Sequence, residues 1–415
     1  MIEAIRNAFK LPDLKKKILF TLGMIAIYRF GAHVPVPGVD PAKLEELFKT
    51  TPLLGFLDIF AGGALSRFAV FALGIMPYIT ASIIMQLLTI VIPTLERWSK
   101  EGEAGQRKIT QWTRYLTLAL GLLESVGYIS LFQAQLKLRF PFGTQVLIVV
   151  TLVAGTALIM WLGELITQRG IGNGMSLLIF ASIIARLPEG IVSTYQTSGL
   201  ATSVLLLLIL LAVVVAIIFI EQGQRRIPVQ YAKRVVGRKV YGGGSTFIPL
   251  KVNSSGVIPI IFASALLAFP ATIAKFIPNR AIQDVADALG RGSGIYIAIE
   301  AMLIIFFAYF YTAIIFNPID IADNLKKYGG FVPGVRPGKP TAVYIDRVLT
   351  RITLPGAIFI ALVAVLPTIL LDLMNVPFFR NFGGTSLLIM VGVALETMRQ
   401  LETQLLMRHY EGFLK

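Results

Sequence analysis

Long apolar runs separated by short charged loops dominate the pattern of this chain. A helix needs about 20 mainly apolar residues to cross the hydrocarbon core of a bilayer. We predict ten spans, at approximately residues 18–36, 71–92, 116–133, 146–166, 172–188, 200–220, 254–277, 294–316, 350–371 and 384–405. The pattern therefore predicts an all-α polytopic membrane protein with ten transmembrane helices.

Composition supports the same class. Hydrophobic residues make up 55% of the 415 residues and charged residues only 15%, whereas a soluble domain has about 25% charged residues. The first predicted span follows Lys15, Lys16 and Lys17 and lacks a small-residue cleavage pattern. We therefore expect it to remain in the protein, with Arg29 reaching the membrane surface.

The loops predict an orientation. If the N-terminus is cytoplasmic and the spans alternate, 27 of the 38 lysines and arginines lie on the cytoplasmic side. Cytoplasmic loops of membrane proteins carry an excess of these residues. Both termini are therefore predicted to be cytoplasmic.

Glycine and proline in four spans predict an internal repeat. The second span contains G-I-M-P at 74–77 and the seventh contains G-V-I-P at 256–259. The fifth begins with G-N-G-M-S-L-L-I at 172–179 and the tenth with G-G-T-S-L-L-I at 383–389. Each pair lies five spans apart, and a half with an odd number of spans is followed by a half of opposite orientation. We therefore predict two inverted halves of five helices each, 1–198 and 199–415, around a central pathway.

Bulky apolar residues near these interruptions predict a constriction. Ile75 and Ile79 are four residues apart and so share one helix face, as do Met175 and Ile179. An apolar constriction resists wetting. The apolar segment 55–67, just before the second span, is too short to cross a bilayer. It is either an interfacial helix or a short re-entrant element, and its pattern does not separate the two.

The loop at 221–253 predicts a docking surface. It contains a single acid, Glu221, and seven basic residues: Arg225, Arg226, Lys233, Arg234, Arg238, Lys239 and Lys251. So much charge does not fit inside a bilayer, and a cationic loop of this kind favours a polyanionic or acidic partner. The loop therefore predicts a large partner outside the membrane.

Reactive chemistry is not evident in the sequence. The chain has no cysteine, no phosphate-binding loop and two distant histidines, so we expect no cofactor, no metal and no enzymatic activity. Four acids in or near the spans are expected to be solvated near span ends: Glu124, Glu164, Glu300 and Glu396. The residues leave three functions open: a channel, an inverted-repeat secondary transporter of a small solute, and a membrane scaffold for ribosomes. Ionisable residues at mid-depth would favour the transporter.

The chain also contains several longer motifs: F-A-L-G-I-M-P-Y-I at 71–79, R-G-I-G-N-G-M-S at 169–176, E-Q-G-Q-R-R-I-P-V-Q-Y-A-K-R at 221–234, F-N-P at 316–318, A-D-N-L-K-K at 322–327, F-V-P-G-V-R-P-G at 331–338 and F-G-G-T-S-L-L-I at 382–389. These motifs resemble those of the bacterial SecY family, the central subunits of protein-conducting channels. The resemblance implies ten spans in two inverted halves, and a channel that threads unfolded secretory polypeptides outward and releases apolar segments into lipid.

The resemblance also assigns residues. It implies a pore ring at Ile75, Ile79, Met175, Ile179, Ile261 and Ile389, where Met175 departs from the family's usual isoleucine. It implies a plug at about 55–67 that includes Phe56, Ile59, Phe60, Gly62, Gly63 and Leu65. A lateral gate would lie between spans two and three on one side and spans seven and eight on the other.

Partners follow from the same resemblance. The loops 221–253 and 317–351 would dock the SecA motor and the ribosome, with Arg336 as a functionally important arginine. SecE and SecG would be companion subunits, and signal peptides and nascent polypeptides would be the substrates. The location implied is the inner (plasma) membrane of a bacterium.

Overall fold

The fold is described from a computed structural model. It describes residues 6, 8–39, 58–136, 140–231, 234–236, 239–241, 245–274, 293–373 and 377–413. The helices among these residues are α1 Pro12–Gly31, α2 Met76–Val91, α3 Pro93–Lys100, α4 Glu103–Leu136, α5 Phe142–Arg169, α6 Gly174–Gln222, α7 Ile258–Ala274, α8 Gly294–Ile315, α9 Pro318–Lys327, α10 Lys339–Leu373 and α11 Pro377–Phe413. The prediction of a helical membrane protein is confirmed, and each predicted span overlaps one of these helices.

Helix starts follow from local sequence. Pro12, Pro93 and Pro318 occupy first-turn positions, where the missing N–H of proline costs nothing. The Asn173 side chain caps α6 by accepting hydrogen bonds from the backbone N–H groups of Met175 and Ser176. Predicted spans five and six both lie in α6, which is interrupted at Gly199 by non-helical backbone angles (φ 78°, ψ 178°).

Length and apolarity identify fewer spans than the ten predicted. In the described part of the chain, five helical stretches could cross a membrane on these grounds, or six if α2 and α3, bent by 99°, form one span. These stretches are Glu103–Gln133, Phe142–Arg169, Gly174–Gln222, Gly294–Lys327 and Lys339–Pro367. The α1 helix is less apolar because it contains Lys15, Lys16, Lys17 and Arg29. The chain is thus a multi-pass membrane protein.

The matching interruptions of spans two and seven have the same local structure. Gly74 and Gly256 both have positive φ, 59° and 63°, which glycine adopts without strain. In each case the helix begins two residues later, at Met76 and Ile258. The backbone N–H groups of Ile79 and Ile261 then donate to the carbonyls four residues before them, at 3.1 and 3.2 Å. The repeated sequence therefore encodes a repeated turn.

The predicted start of the tenth span is wrong. The helix α11 begins at Pro377 and runs through the G-G-T-S sequence rather than starting there. Gly384 packs against α10, and a Cβ at this position would collide with the backbone carbonyls of Val363 and Ala364. The glycine therefore allows two helices to approach closely and does not end a helix.

Five strands, which were not predicted, lie in the loops 221–253 and 317–351. They are β1 Gln224–Tyr231, β2 Arg234–Val236, β3 Lys239–Tyr241, β4 Ser245–Lys251 and β5 Gly330–Phe331. The β1 strand pairs with β4 and β5 in the order β4-β1-β5, and β2 pairs with β3. Ile227, Val229, Leu250, Val332 and Ile345 form a buried core beneath the three-stranded sheet. The two loops therefore make one structure, called the loop unit below.

Candidate functional site

The six residues of the predicted pore ring lie in one buried apolar core. Ile75 and Ile79 come from the start of α2, Met175 and Ile179 from α6, Ile261 from α7 and Ile389 from α11. None is more than 9% exposed. Four helices distant in sequence thus contribute to one centre.

A cavity of about 380 Å³ lies against this centre. Ile79, Met175, Ile179 and Ile261 line one part of it, and Ile75 and Ile389 lie outside its lining. The rest of the wall is mostly polar and includes Gln86, Arg114, Glu164, Gln168, Asn173 and Ser176. The cavity wall therefore combines polar side chains with the apolar side chains of the predicted ring.

Two acids differ from the expectation of solvated side chains. Glu164 accepts two hydrogen bonds from the Arg114 guanidinium, at 2.7 and 2.6 Å, which joins α5 to α4 in the cavity wall. Glu300 in α8 is only 2% exposed. The prediction is therefore wrong for Glu300, because packing between helices can enclose an acid that a linear pattern places near a helix end.

Residues 58–65 of the predicted plug are buried. A short helical turn at 58–60 is followed by turns up to residue 75. Ile59, Phe60 and Leu65 belong to the same apolar core as the pore ring. Phe56 lies outside the described residues. Burial of the segment matches a re-entrant element rather than an interfacial helix.

Gly62 and Gly63 bring the plug segment close to the surrounding helices. Both have positive φ, 63° and 86°. A Cβ on Gly62 would lie 3.1 Å from the Cα of Ser182, and one on Gly63 would lie 3.2 Å from the Arg186 guanidinium carbon. A larger residue at either position would have a strained backbone and would crowd its neighbours.

Polar contacts hold the same segment. Arg29 donates from Nη1 to the carbonyl oxygen of Gly62 at 2.7 Å, and its position relative to the membrane surface stays a prediction. Arg186 forms an ion pair with Asp58 and donates to Ser66 Oγ at 3.1 Å. Sequence reasoning missed Asp58 and Arg186. No local signal marked them, because the partners lie on segments far apart in the chain.

The cavity, the ring and the plug follow one another along α6. Met175 and Ser176 line the cavity, and Ile179 belongs to both the cavity lining and the ring. Ser182 and Arg186, on the next turns, face the plug segment. Since a helix rises 1.5 Å per residue, these three regions are stacked within about 16 Å.

A polar contact joins α2 to α8 beside the ring. The Tyr311 hydroxyl donates a hydrogen bond to Gln86 Oε1. The Tyr311 ring also packs edge-on against Phe262 of α7, with ring centroids 4.9 Å apart. This is the described contact region between α2 and the pair α7–α8, where the lateral gate is predicted.

The predicted docking residues fall on the loop unit. Arg225 and Arg226 lie exposed on β1, and Arg336 lies exposed in a turn between Gly334 and Gly338, both of which have positive φ. The Arg226 guanidinium stacks 4.7 Å above the Phe247 ring. The backbone of Arg234 lies in β2 and that of Lys239 in β3. Lys233 and Arg238 lie outside the described residues.

Comparison with known proteins gives full-length matches. The SecY family model matches residues 69–398. The chain is 50% identical to the protein translocase subunit SecY of Streptomyces scabiei and 47% identical to that of Corynebacterium glutamicum, over all of both chains in each case. Two solved structures, of a protein-conducting channel and of Sec61 in a canine ribosome–channel complex, have TM-scores of 0.64 and 0.60 at 18% and 17% identity. Each alignment covers 96% of both chains.

Proposed function

The chain belongs to the SecY family, and we propose that it is the central subunit of a channel that passes unfolded secretory polypeptides across a membrane and releases apolar segments sideways into lipid. One observation carries this function: the order of polar cavity, apolar ring and buried plug along α6. A polypeptide can enter the cavity, and the two regions below it close the path. The result is a closed conduit.

The pore ring is the seal of this conduit. Its six members are Ile75, Ile79, Met175, Ile179, Ile261 and Ile389. Water in a narrow apolar waist loses hydrogen bonds that the waist cannot replace. Apolar side chains also make non-directional contacts, so they accommodate any passing sequence. The ring thus combines an ion barrier with tolerance for many substrates.

Two neighbouring elements open and close the path. The plug, with Ile59, Phe60, Gly62, Gly63 and Leu65, blocks the far side of the ring and leaves when a polypeptide enters. The lateral gate is the contact of α2 and α4 with α7 and α8, where Tyr311 meets Gln86. The break at Gly199 supports the division into halves 1–198 and 199–415.

The loop unit is the docking surface for the SecA motor and the ribosome. Arg225, Arg226 and Arg336 are exposed on it, and Lys233, Arg234, Arg238 and Lys239 belong to the same loop sequence. Ribosomal RNA is a polyanion, and arginine binds phosphate with two hydrogen bonds at once. The structural relative in the canine ribosome–channel complex supports this partner. SecE and SecG are the companion subunits, and signal peptides and nascent chains are the substrates.

The location is the inner membrane of a bacterium, with both termini cytoplasmic. The excess of lysine and arginine in the loops supports this orientation. The protein is a conducting subunit and not itself an enzyme, so energy comes from its partners. We set the transporter alternative aside, because the family and the relatives with about half of their residues identical are translocase subunits.

Crosslinking tests the pathway directly. The chain has no cysteine, so single cysteines can be placed at Ile79, Ile179 or Ile261 without background. A stalled secretory chain carrying a thiol-reactive probe should crosslink to these positions. Cysteines at the exposed positions Ile90 and Ile358 are the matched controls. Equal crosslinking at both sets would contradict the proposed path.

A further inference from the structure

Two arginines from different helices hold the plug segment. Arg29 of α1 binds the carbonyl oxygen of Gly62 at 2.7 Å. Arg186 of α6 binds the Asp58 carboxylate and, at 3.1 Å, the Ser66 hydroxyl. These contacts connect the plug segment to α1 and α6. The closed state therefore has specific polar bonds in addition to apolar contact.

Asp58 is the centre of this arrangement. Its side chain is 4% exposed and that of Arg186 is 16% exposed. The carboxylate also accepts a hydrogen bond from the Ser66 backbone N–H at 2.9 Å, which closes the plug turn on itself. A buried charge is stable only when it is paired and hydrogen-bonded. Asp58 therefore favours the position in which the plug meets Arg186.

Arg186 has a second partner on its own helix. Its Nη1 donates to Glu189 Oε2 at 2.9 Å, and Glu189 is 59% exposed. This contact can persist when the plug moves, because both residues belong to α6. Arg186 would therefore stay oriented and available for Asp58 when the plug returns.

We propose that Asp58 and Arg186 form a latch whose strength determines how readily the channel opens and how much binding energy a transported segment must supply. This inference rests on the proposed channel function. A substrate shifts a closed–open equilibrium only by its differential affinity for the open state. A stronger latch therefore restricts passage to segments that bind the open channel tightly, so the pair determines substrate stringency.

The test measures exposure of the plug in the assembled channel complex, reconstituted in lipid vesicles. Ala64 is fully buried in the plug segment, and Ala64→Cys gives the cysteine-free chain a single thiol. A membrane-impermeant maleimide, present inside and outside the vesicles, then labels this thiol when the plug opens. We expect Asp58→Asn and Arg186→Gln each to raise the labelling rate at least about tenfold, which corresponds to about 1.4 kcal/mol. The double variant should be labelled only slightly faster than either single variant, because the two substitutions remove the same contact.

Glu189→Gln is the matched control. It removes a carboxylate that also contacts Arg186 but does not join the plug to α6, so labelling should stay at the wild-type rate. The exchanged pair, Asp58→Arg with Arg186→Asp, should restore slow labelling. The latch proposal is wrong if the Asp58→Asn variant is labelled at the wild-type rate. It is also wrong if Glu189→Gln accelerates labelling as much as Asp58→Asn does. If Asp58→Asn does not assemble, Arg186→Lys provides the comparison, since it keeps the charge and loses the planar guanidinium that contacts Asp58 and Glu189 through different nitrogens.

A translocation assay on the same vesicles separates the two proposals. The latch variants should pass a secretory protein with a weakened, less apolar signal segment more readily than the wild type does. If the wild-type complex moves no secretory protein at all, the proposed function fails, whatever the labelling rates. If it moves protein while the latch variants match it in both labelling and stringency, only the latch fails.

Discussion

The pore region and the loop unit are built on opposite physical principles. The pore region brings apolar residues from α2, α6, α7 and α11 into one large buried core. The loop unit has a small core of its own beneath a three-stranded sheet, and it exposes Arg225, Arg226 and Arg336. One region buries apolar side chains against one another, and the other presents charge to water.

Under the proposed function, this difference separates sealing from docking within one chain. Apolar contacts do not weaken with ionic strength, whereas exposed charge contacts are screened, with a Debye length of about 10 Å at 0.1 M salt. Salt should therefore leave the resting seal intact and weaken the binding of partners. Substitutions in the pore region should therefore affect the resting seal, and substitutions in the loop unit should affect the binding of partners.

The largest expected effect comes from the pore ring. Replacing Ile75, Ile79, Ile179 and Ile261 together with serine should raise the resting ion conductance of the reconstituted complex by more than about tenfold. Each isoleucine kept from water contributes roughly 1.5–3 kcal/mol, and serine lets water into the waist. Single changes should do less, because the neighbouring side chains and the plug still close the path.

Four exposed isoleucines provide the matched control. Serine at Ile27, Ile90, Ile314 and Ile358, which are 46–53% exposed, makes the same chemical change outside the pore. These substitutions should leave conductance unchanged. If the ring variant is as ion-tight as the wild type even with the plug deleted, the ring is not the seal.

Arg336 should produce the next largest effect, and only on motor-driven transport. The residue is exposed, and its carbonyl oxygen accepts a hydrogen bond from Thr341 Oγ1 at 2.8 Å, which fixes the turn through the backbone. Arg336→Glu should lower SecA-driven translocation at least about tenfold, since losing a buried interfacial charge pair costs roughly 2–5 kcal/mol. Assembly with SecE should be unaffected. Lys339→Glu, in the same loop, is the control, and loss of the assembled complex would instead indicate a structural role for Arg336.

Ribosome binding should respond to two adjacent basic residues of the loop 221–253. Arg238→Glu with Lys239→Glu should weaken ribosome affinity more than SecA affinity. Each phosphate contact adds about 0.9 to the slope of log affinity against log salt, so the slope should become shallower by about 2. Sedimentation across a salt series measures both quantities. Lys100→Glu with Arg107→Glu, exposed residues of α3 and α4, controls for net charge. Unchanged affinity of the Arg238/Lys239 variant at low salt would contradict the assignment.

The sequence predicted the internal repeat better than the polar contacts of the plug segment. The G-I-M-P and G-V-I-P interruptions repeat in sequence and in structure, whereas Ile261 was assigned only through the family resemblance. Asp58 and Arg186 gave no such signal, because a single acid or arginine near a span end has the same pattern whether it is solvated or paired. Ser66 and Arg186 are 120 positions apart. The loop unit was missed for the same reason, since β1 and β5 come from different loops.

The smallest expected effect concerns the one described polar contact between α2 and α8. Tyr311→Phe removes the hydroxyl that donates to Gln86 and keeps the ring that packs on Phe262. A hydrogen bond contributes about 0.5–1.5 kcal/mol net, so separation of these helices should become only about two- to tenfold more frequent. Spin labels at Leu87→Cys and Ile314→Cys, both exposed, report the distance between α2 and α8. Tyr309→Phe is the control, because its hydroxyl donates at 3.3 Å to the Thr350 carbonyl within the second half. Identical distance distributions in the two variants would mean that apolar packing alone closes this side of the pore.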